Sequence, residues 1–186
     1  LCDEIIQASG VKIQYGTRRA AYSPSRDIVY MPYKESFDSD HTYYAVKLHE
    51  LAHWTGHSSR LNRVFGTSRE SVEYAKEELR AEIASAMLSM RLGLPAKIPE
   101  HAAYIEQYLR ILKNDKREIF RAAKDAEAIT RYVLSFSPKF RAEFEEEHRR
   151  QIAEAVENGA PEDLFDAGMI AFDEDEDDLP AMRVAM

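Results

Sequence analysis

Only one cysteine, Cys2, occurs among the 186 residues. That excludes an internal disulfide and any cage of thiolates around a metal, and it leads to the expectation of a reducing, cytoplasmic setting. No apolar run approaches the roughly 20 residues needed to cross a bilayer. The amino terminus also lacks the basic-then-hydrophobic order of a secretory leader, so no membrane association is expected. An initiator methionine is missing too: the chain begins at Leu1, as a domain cut from something longer would. Internal repeats are absent. So is a surplus of positive charge, because the formal net charge is −8. From Glu162 onward there are nine acids and a single base, Arg183. Taking these from the 33 acids and 25 bases leaves 24 of each sign in residues 1–161. A neutral body has no electrostatic footprint for nucleic acid.

What is present is a five-residue stretch, His49-Glu50-Leu51-Ala52-His53. On a helix, positions i and i+4 share a face, so two imidazoles can reach one ion. Glu50 follows the first histidine and can flank the attacking water without ligating the metal. This is the H-E-x-x-H arrangement of zinc peptidases, with the carboxylate as general base. The surrounding Tyr43, Tyr44, Val46, Leu48, Leu51 and Trp54 place the motif mid-helix in an apolar setting. Catalytic zinc usually takes a third protein ligand. The metzincin spacing is excluded: Gly56 is in place, but Ser59 stands where the third histidine belongs, and His57 comes too soon.

A glutamate on the following helix is the other common solution, and Glu77, Glu78 and Glu82 are the candidates. Val72, Ala75, Leu79, Ile83, Ala86 and Met90 recur at helical spacing and read as the core stripe. Glu78, Glu82, Ser85 and Ser89 line one flank of it, whereas Glu77 projects from the opposite flank and reads, with Glu70 and Glu73, as solvated. The segment Glu78-Leu79-Arg80-Ala81-Glu82 resembles that of glutamate-type zincins, in which the ligand glutamate is followed four residues later by a second acid. That resemblance makes Glu78 the third ligand and Glu82 the acid that orients a ligand histidine.

Ahead of the motif, Val11–Tyr15, Ala20–Tyr22 and Asp27–Met31 read as short strands separated by turns. Pro32 ends the third, as at a sheet edge, so a peptide substrate is expected to add as an antiparallel strand along Asp27–Met31. The motif helix starts near Ser39 or Asp40 and ends around Gly56. A polar, arginine-bearing loop over 58–68 leads to a second helix, roughly Arg69–Leu92, with Gly93 as its cap. Helical stretches follow at about Glu100–Lys113, Asp115–Leu134 and Pro138–Asn158. The acidic run Asp173–Asp178 reads as disordered. The expected organisation is therefore an α+β metallopeptidase domain over 1–134, a helical extension over 135–161 and an acidic tail over 162–186.

Several stretches in order resemble the metallopeptidase domain of the ArdC-type antirestriction proteins of plasmids and mobile elements. They are Ala21-Tyr22-Ser23-Pro24, Tyr30-Met31-Pro32 with Glu35-Ser36-Phe37, Tyr43-Tyr44, the run His49 to His57, Ser59 to Arg63, Glu77-Glu78-Leu79, His101 to Ile105, and Leu112 to Arg117. The resemblance covers about residues 5–133 and implies a zincin fold, one Zn2+, and a role in protecting incoming DNA from a host restriction system. It implies a protein or peptide substrate without naming one. Members of that family typically carry an amino-terminal single-stranded-DNA-binding domain, so DNA contact is expected only through a domain outside this chain. Two other readings compete: an interaction module with a structural zinc, and an acidic tail that mimics DNA. Glu50 argues against the first, since a structural site has no use for a base, and the shortness of the acidic run argues against the second. His101, Tyr104 and Tyr108, on a third helix, are candidates for stabilising the oxyanion, weighed against a plain packing role that lone His and Tyr often fill. His57 reads either as continuing the 49–53 stripe by one turn or as a surface residue at the helix end.

Overall fold

The computed structural model describes residues 1–94, 108–109 and 111–158. The chain divides into two compact units, Leu1–Phe136 and Ser137–Met186. The first opens with a helix that the sequence reading did not anticipate, α1 (Cys2–Ala8). Leu1 precedes it and offers no capping side chain, so the usual start signal is missing. Its anchor is tertiary: Ile5 and Ile6 are buried, and the Asp3 carboxylate accepts from the Tyr44 hydroxyl and pairs with Lys47 at 3.3 Å.

Three strands follow, β1 (Ile13–Tyr15), β2 (Ala21–Ser23) and β3 (Ile28–Met31), in the spatial order β1-β3-β2. β1 runs parallel to β3 and β2 antiparallel to it. The third strand is thus the centre of the sheet, not its edge, and Val29 and Met31 point into the core. Pro32 lies just beyond the paired segment, which is why it is tolerated there. The exposed edge beside the helices belongs to β2. Val29 N–H donates to Lys12 O on the β1 side at 2.9 Å, so Ile28 and Tyr30 turn their backbone groups to β2, opposite Ser23 and Ala21. Tyr22, between those two, therefore presents its N–H and C=O to the open side.

α2 (Asp40–Trp54) is capped by Ser39, whose hydroxyl accepts from Thr42 N–H at 3.1 Å. α3 (Val72–Arg91) is capped in the same way by Ser71 and closes on Gly93, at φ +70°. There Leu94 N–H reaches Ser89 O and Gly93 N–H reaches Met90 O, the paired closing bonds that a left-handed glycine permits. α4 (Glu118–Leu134) buries Ala122, Ala126, Ile129 and Val133. α3 packs between α2 and α4. At their junction Ala52, Ala81, Ala84 and Ala126 are all fully buried with Ile129, and small side chains let the three helices approach closely.

Of the expected stripe, Ala75 and Leu79 are buried and Ile83 packs against the core, but the centre of the buried face is Ala81, Ala84 and Leu88 with Glu77 and Glu78. Val72 and Met90 of that stripe are exposed, at 50% and 63%. In the second unit, α5 (Pro138–Glu157) starts with proline in its first turn, and Phe140 stacks on Phe144 at 6.5 Å. No helix among the described residues is long and apolar enough to cross a membrane. His101, Tyr104 and the acidic run 173–178 lie outside the described residues.

Candidate metal centre

α2 presents His49 and His53 one turn apart, with Glu50 on the same side, and α3 lays Glu78 across from them. The two Nε2 atoms stand 3.1 Å apart. Glu78 brings Oε2 to 3.6 Å from His49 Nε2 and Oε1 to 3.5 Å from His53 Nε2. Zn–N bonds of about 2.0–2.1 Å set the edges of a tetrahedron at about 3.3–3.4 Å. Each imidazole nitrogen has a Glu78 oxygen close to that spacing, and one atom from each of the three residues lies within 4.8 Å of the other two. Lone-pair-bearing atoms facing one another at these distances need positive charge among them, a bound cation or, without one, a proton on His53. These residues form the one His/Cys/Asp/Glu group among the described residues whose ligand atoms all lie within 4.8 Å of each other.

The next layer corrects one assignment. Glu77, read as solvated, is only 3% exposed and lies 3.1 Å from His53 Nδ1. It accepts the Nδ1 proton, which fixes the tautomer and leaves Nε2 free for a metal. Glu82, expected to orient a ligand histidine, places Oε1 3.8 Å from His49 Nδ1. Arg63, from the loop after α2, completes the layer by gripping Glu77 through Nε at 3.0 Å and Nη2 at 2.7 Å.

Burial works against every charge here, and the hydrogen bonds outweigh it. Desolvation pushes Glu77 upward, yet His53 and Arg63 hold its carboxyl below the ordinary range. Glu78 is likewise lowered by His49 and His53 against desolvation. Burial alone depresses His53, but the hydrogen bonds of Glu77 and Glu78 raise it to about 10 in the metal-free protein.

His49, His53, Glu77, Glu78 and Glu82 line a cleft of about 670 Å³. One wall is the β2 edge, with Arg19, Ala21 and Tyr22; Glu50, Phe65 and Tyr74 line the helix side. Glu50 is 8% exposed. A second arginine of the same loop holds the two walls in register. Arg60 stacks over Trp54 at 4.0 Å, donates to Trp54 O at 2.7 Å and to Asp27 Oδ2 at 3.1 Å, and reaches the Tyr22 hydroxyl at 3.4 Å. His57 is not in the cleft; it pairs with Ser59 at 2.8 Å. Sequence reasoning missed Glu77, Arg63 and the β2 edge. The signal for Glu77 was the alanine stripe, since Glu77 shares a helix face with Ala81 and Ala84.

A small sheet, an H-E-x-x-H helix and a second helix offering glutamate define a zincin-type metallopeptidase domain. Residues 1–125 match the zincin-like metallopeptidase family, and the chain belongs to it. It is 44% identical over 165 residues to a DNA primase TraC of Escherichia coli, covering 88% of this chain and 15% of that protein. A second Escherichia coli TraC primase is 46% identical over 138 residues, 74% of this chain and 10% of its own length. The crystal structure of the antirestriction protein ArdC from plasmid R388, bound to Mn(II), superposes with a TM-score of 0.68 at 41% identity. That match covers 75% of this chain and 52% of ArdC, so the resemblance to ArdC-type proteins holds in both sequence and fold.

Proposed function

We propose that this chain is a metal-dependent peptidase domain of the ArdC type. His49, His53 and Glu78 hold the ion, Glu50 acts as general base, and Glu77 and Glu82 orient the two histidines. The observation that carries this reading is the convergence of one ligand atom from each of His49, His53 and Glu78, all within 4.8 Å of one another, in the cleft that Glu50 also lines. Two imidazoles and a carboxylate suit zinc, which stands above manganese in the affinity order of divalent ions, so zinc is the proposed native metal. When bound, such an ion lowers the pKa of a water molecule and polarises a carbonyl.

The protein residues supply the rest. Glu50 accepts the proton of the attacking water and returns it to the departing amine. Tyr74, one turn before Glu78 and in the cleft wall, is the candidate donor to the oxyanion. The substrate is a protein or peptide segment that lies antiparallel along β2 and bonds to Tyr22 N–H and C=O. The similarity to ArdC supports an antirestriction role, with a host restriction system as partner. Single-stranded DNA enters only through a domain outside this chain. Glu50→Gln is the test: it should keep one equivalent of zinc while abolishing cleavage of a denatured protein substrate. Undiminished hydrolysis in that variant would overturn the peptidase reading.

A further inference from the structure

The loop between α2 and α3 carries a feature that neither ligation nor proton transfer explains. Arg63 is a largely buried cation, with a side chain 10% exposed, and it satisfies four acceptors at once. Nε and Nη2 fork onto the two oxygens of Glu77; Nη2 also donates to Ala52 O at 2.7 Å, and Nη1 to Thr55 Oγ1 at 2.8 Å. The guanidinium thus joins the C-terminal end of α2 to the N-terminal half of α3, the two helices whose separation sets the distance from the histidines to Glu78. Gly56 is the space in which it fits. A Cβ there would stand 2.9 Å from Arg63 Nη2 and 2.7 Å from Phe65 Cζ, so any side chain displaces the guanidinium or the ring. This gives the glycine of the motif a use even though the metzincin histidine is absent. Asn62, at φ +46°, supplies the left-handed turn that brings the chain back under α2.

We propose that Arg63 is a positioning residue of the metal centre: by clamping Glu77 in a two-point grip it fixes the His53 imidazole, with Gly56 as the cavity that admits it. The inference rests on the metal-site reading above. A bidentate fork holds a carboxylate in one plane, whereas a point charge lets it rotate, so Lys cannot replace Arg fully here. Arg60 serves as the internal control. It belongs to the same loop and also bonds a carbonyl at the end of α2, but its other partners are Asp27 and Tyr22 rather than Glu77.

The experiment measures Zn2+ dissociation constants by chelator competition, and the visible spectrum of the Co2+-substituted protein, on the full chain. Arg63→Ala should weaken Zn2+ binding by about 10–100-fold, the usual cost of losing an outer hydrogen-bonding partner, and should alter the Co2+ spectrum. Arg63→Lys should recover part of the affinity, and Arg60→Ala should leave both readouts near wild type. Gly56→Ala should weaken binding in the wild-type background and less in Arg63→Ala, where the share of its effect that runs through the guanidinium is already lost and only the Phe65 contact remains. Wild-type affinity and spectrum in Arg63→Ala overturn the proposal, as does an equal loss in Arg60→Ala, which would mark a general effect of the loop. Should Arg63→Ala fail to fold, Arg63→Lys decides alone: a weakened site supports the clamp and an unchanged one overturns it. His53→Ala separates the two levels, since wild-type Zn2+ binding in that variant brings down the metal-site reading itself and the clamp with it.

Discussion

Glu118 is a carboxylate with 1% exposure at the start of α4, where charge is costly unless paired. Arg80 of α3 stands 2.9 Å from its Oε1, and Arg121, three residues on, 2.7 Å from its Oε2. Burial raises its pKa, but the bonds from Arg121 and Arg80 outweigh burial and leave the group below the ordinary carboxylate range. A depressed folded value means the ionised form favours folding. The stabilisation is therefore fully present above the unfolded value of about 4.3 and is lost as pH falls through the lower folded one. Replacing Glu118 by Ala should cost roughly 1.5–3 kcal/mol at neutral pH, the worth of a hydrogen bond to a charged group, since Arg80 loses one carboxylate partner at the α3–α4 junction and keeps the other, Asp125, at 2.6 Å. Urea titrations at a series of pH values check this. The gap between wild type and Glu118→Ala should be wide at pH 7 and should shrink below about pH 4. A gap that is constant with pH would mean that packing, not the ion pair, holds the junction. Glu77 follows the same physics, as a buried carboxylate stabilised only because Arg63 and His53 meet it. A reading of the α3 helix alone places such an acid in solvent, because its partner arrives from a loop without periodicity.

Elements differ in how much of their placement is local. The H-E-x-x-H helix was legible because its spacing, its Ser39 cap and its apolar neighbours all lie within one stretch of chain. Glu78 was legible from the flank it shares with Ser85 and Ser89, both buried. The core face of α3 was legible at Ala75 and Leu79 but not at its centre, which is built of alanines that carry little hydrophobic signal yet permit close helix approach. Strand existence was legible and strand order was not, because β1 reaches β3 past β2 in sequence and only the tertiary fold decides which strand is left at the edge. The consequence falls on the proposed substrate track, which moves from the central β3 to the open side of β2. Tyr22→Pro removes the outward N–H of that edge, whereas Tyr22→Ala removes the same ring and hydroxyl but keeps the donor. Both variants should retain zinc, and Tyr22→Pro should lower kcat/KM by roughly tenfold more than Tyr22→Ala, the worth of about one net hydrogen bond. Equal kinetics for the two would place the substrate backbone elsewhere in the cleft.

At the scale of the molecule, the zincin unit is a portable piece. The chain spans 15% and 10% of two TraC primases and 52% of ArdC, so related segments sit within proteins of very different length. Portability requires that the site be complete within its own fold. The first unit meets that requirement: the three proposed ligands, Glu50, the Glu77–Arg63 clamp, Arg60 and the β2 edge all fall within Leu1–Phe136, and the family match ends at residue 125. The charge distribution agrees, because residues 1–161 balance at 24 acids and 24 bases while the surplus of acids lies beyond them. A fragment ending at Phe136 should therefore bind zinc with the affinity of the full chain. Ligand binding to the folded state alone stabilises by about 2.7 kcal/mol at a free concentration of 100 Kd. For a domain of this size that should raise the unfolding midpoint by on the order of 8 °C. Calorimetry with and without chelator, on the fragment and on the full chain, measures both shifts. Equal shifts are expected; a fragment that melts cooperatively but gains nothing from zinc would mean that the residues after 136 take part in holding the metal.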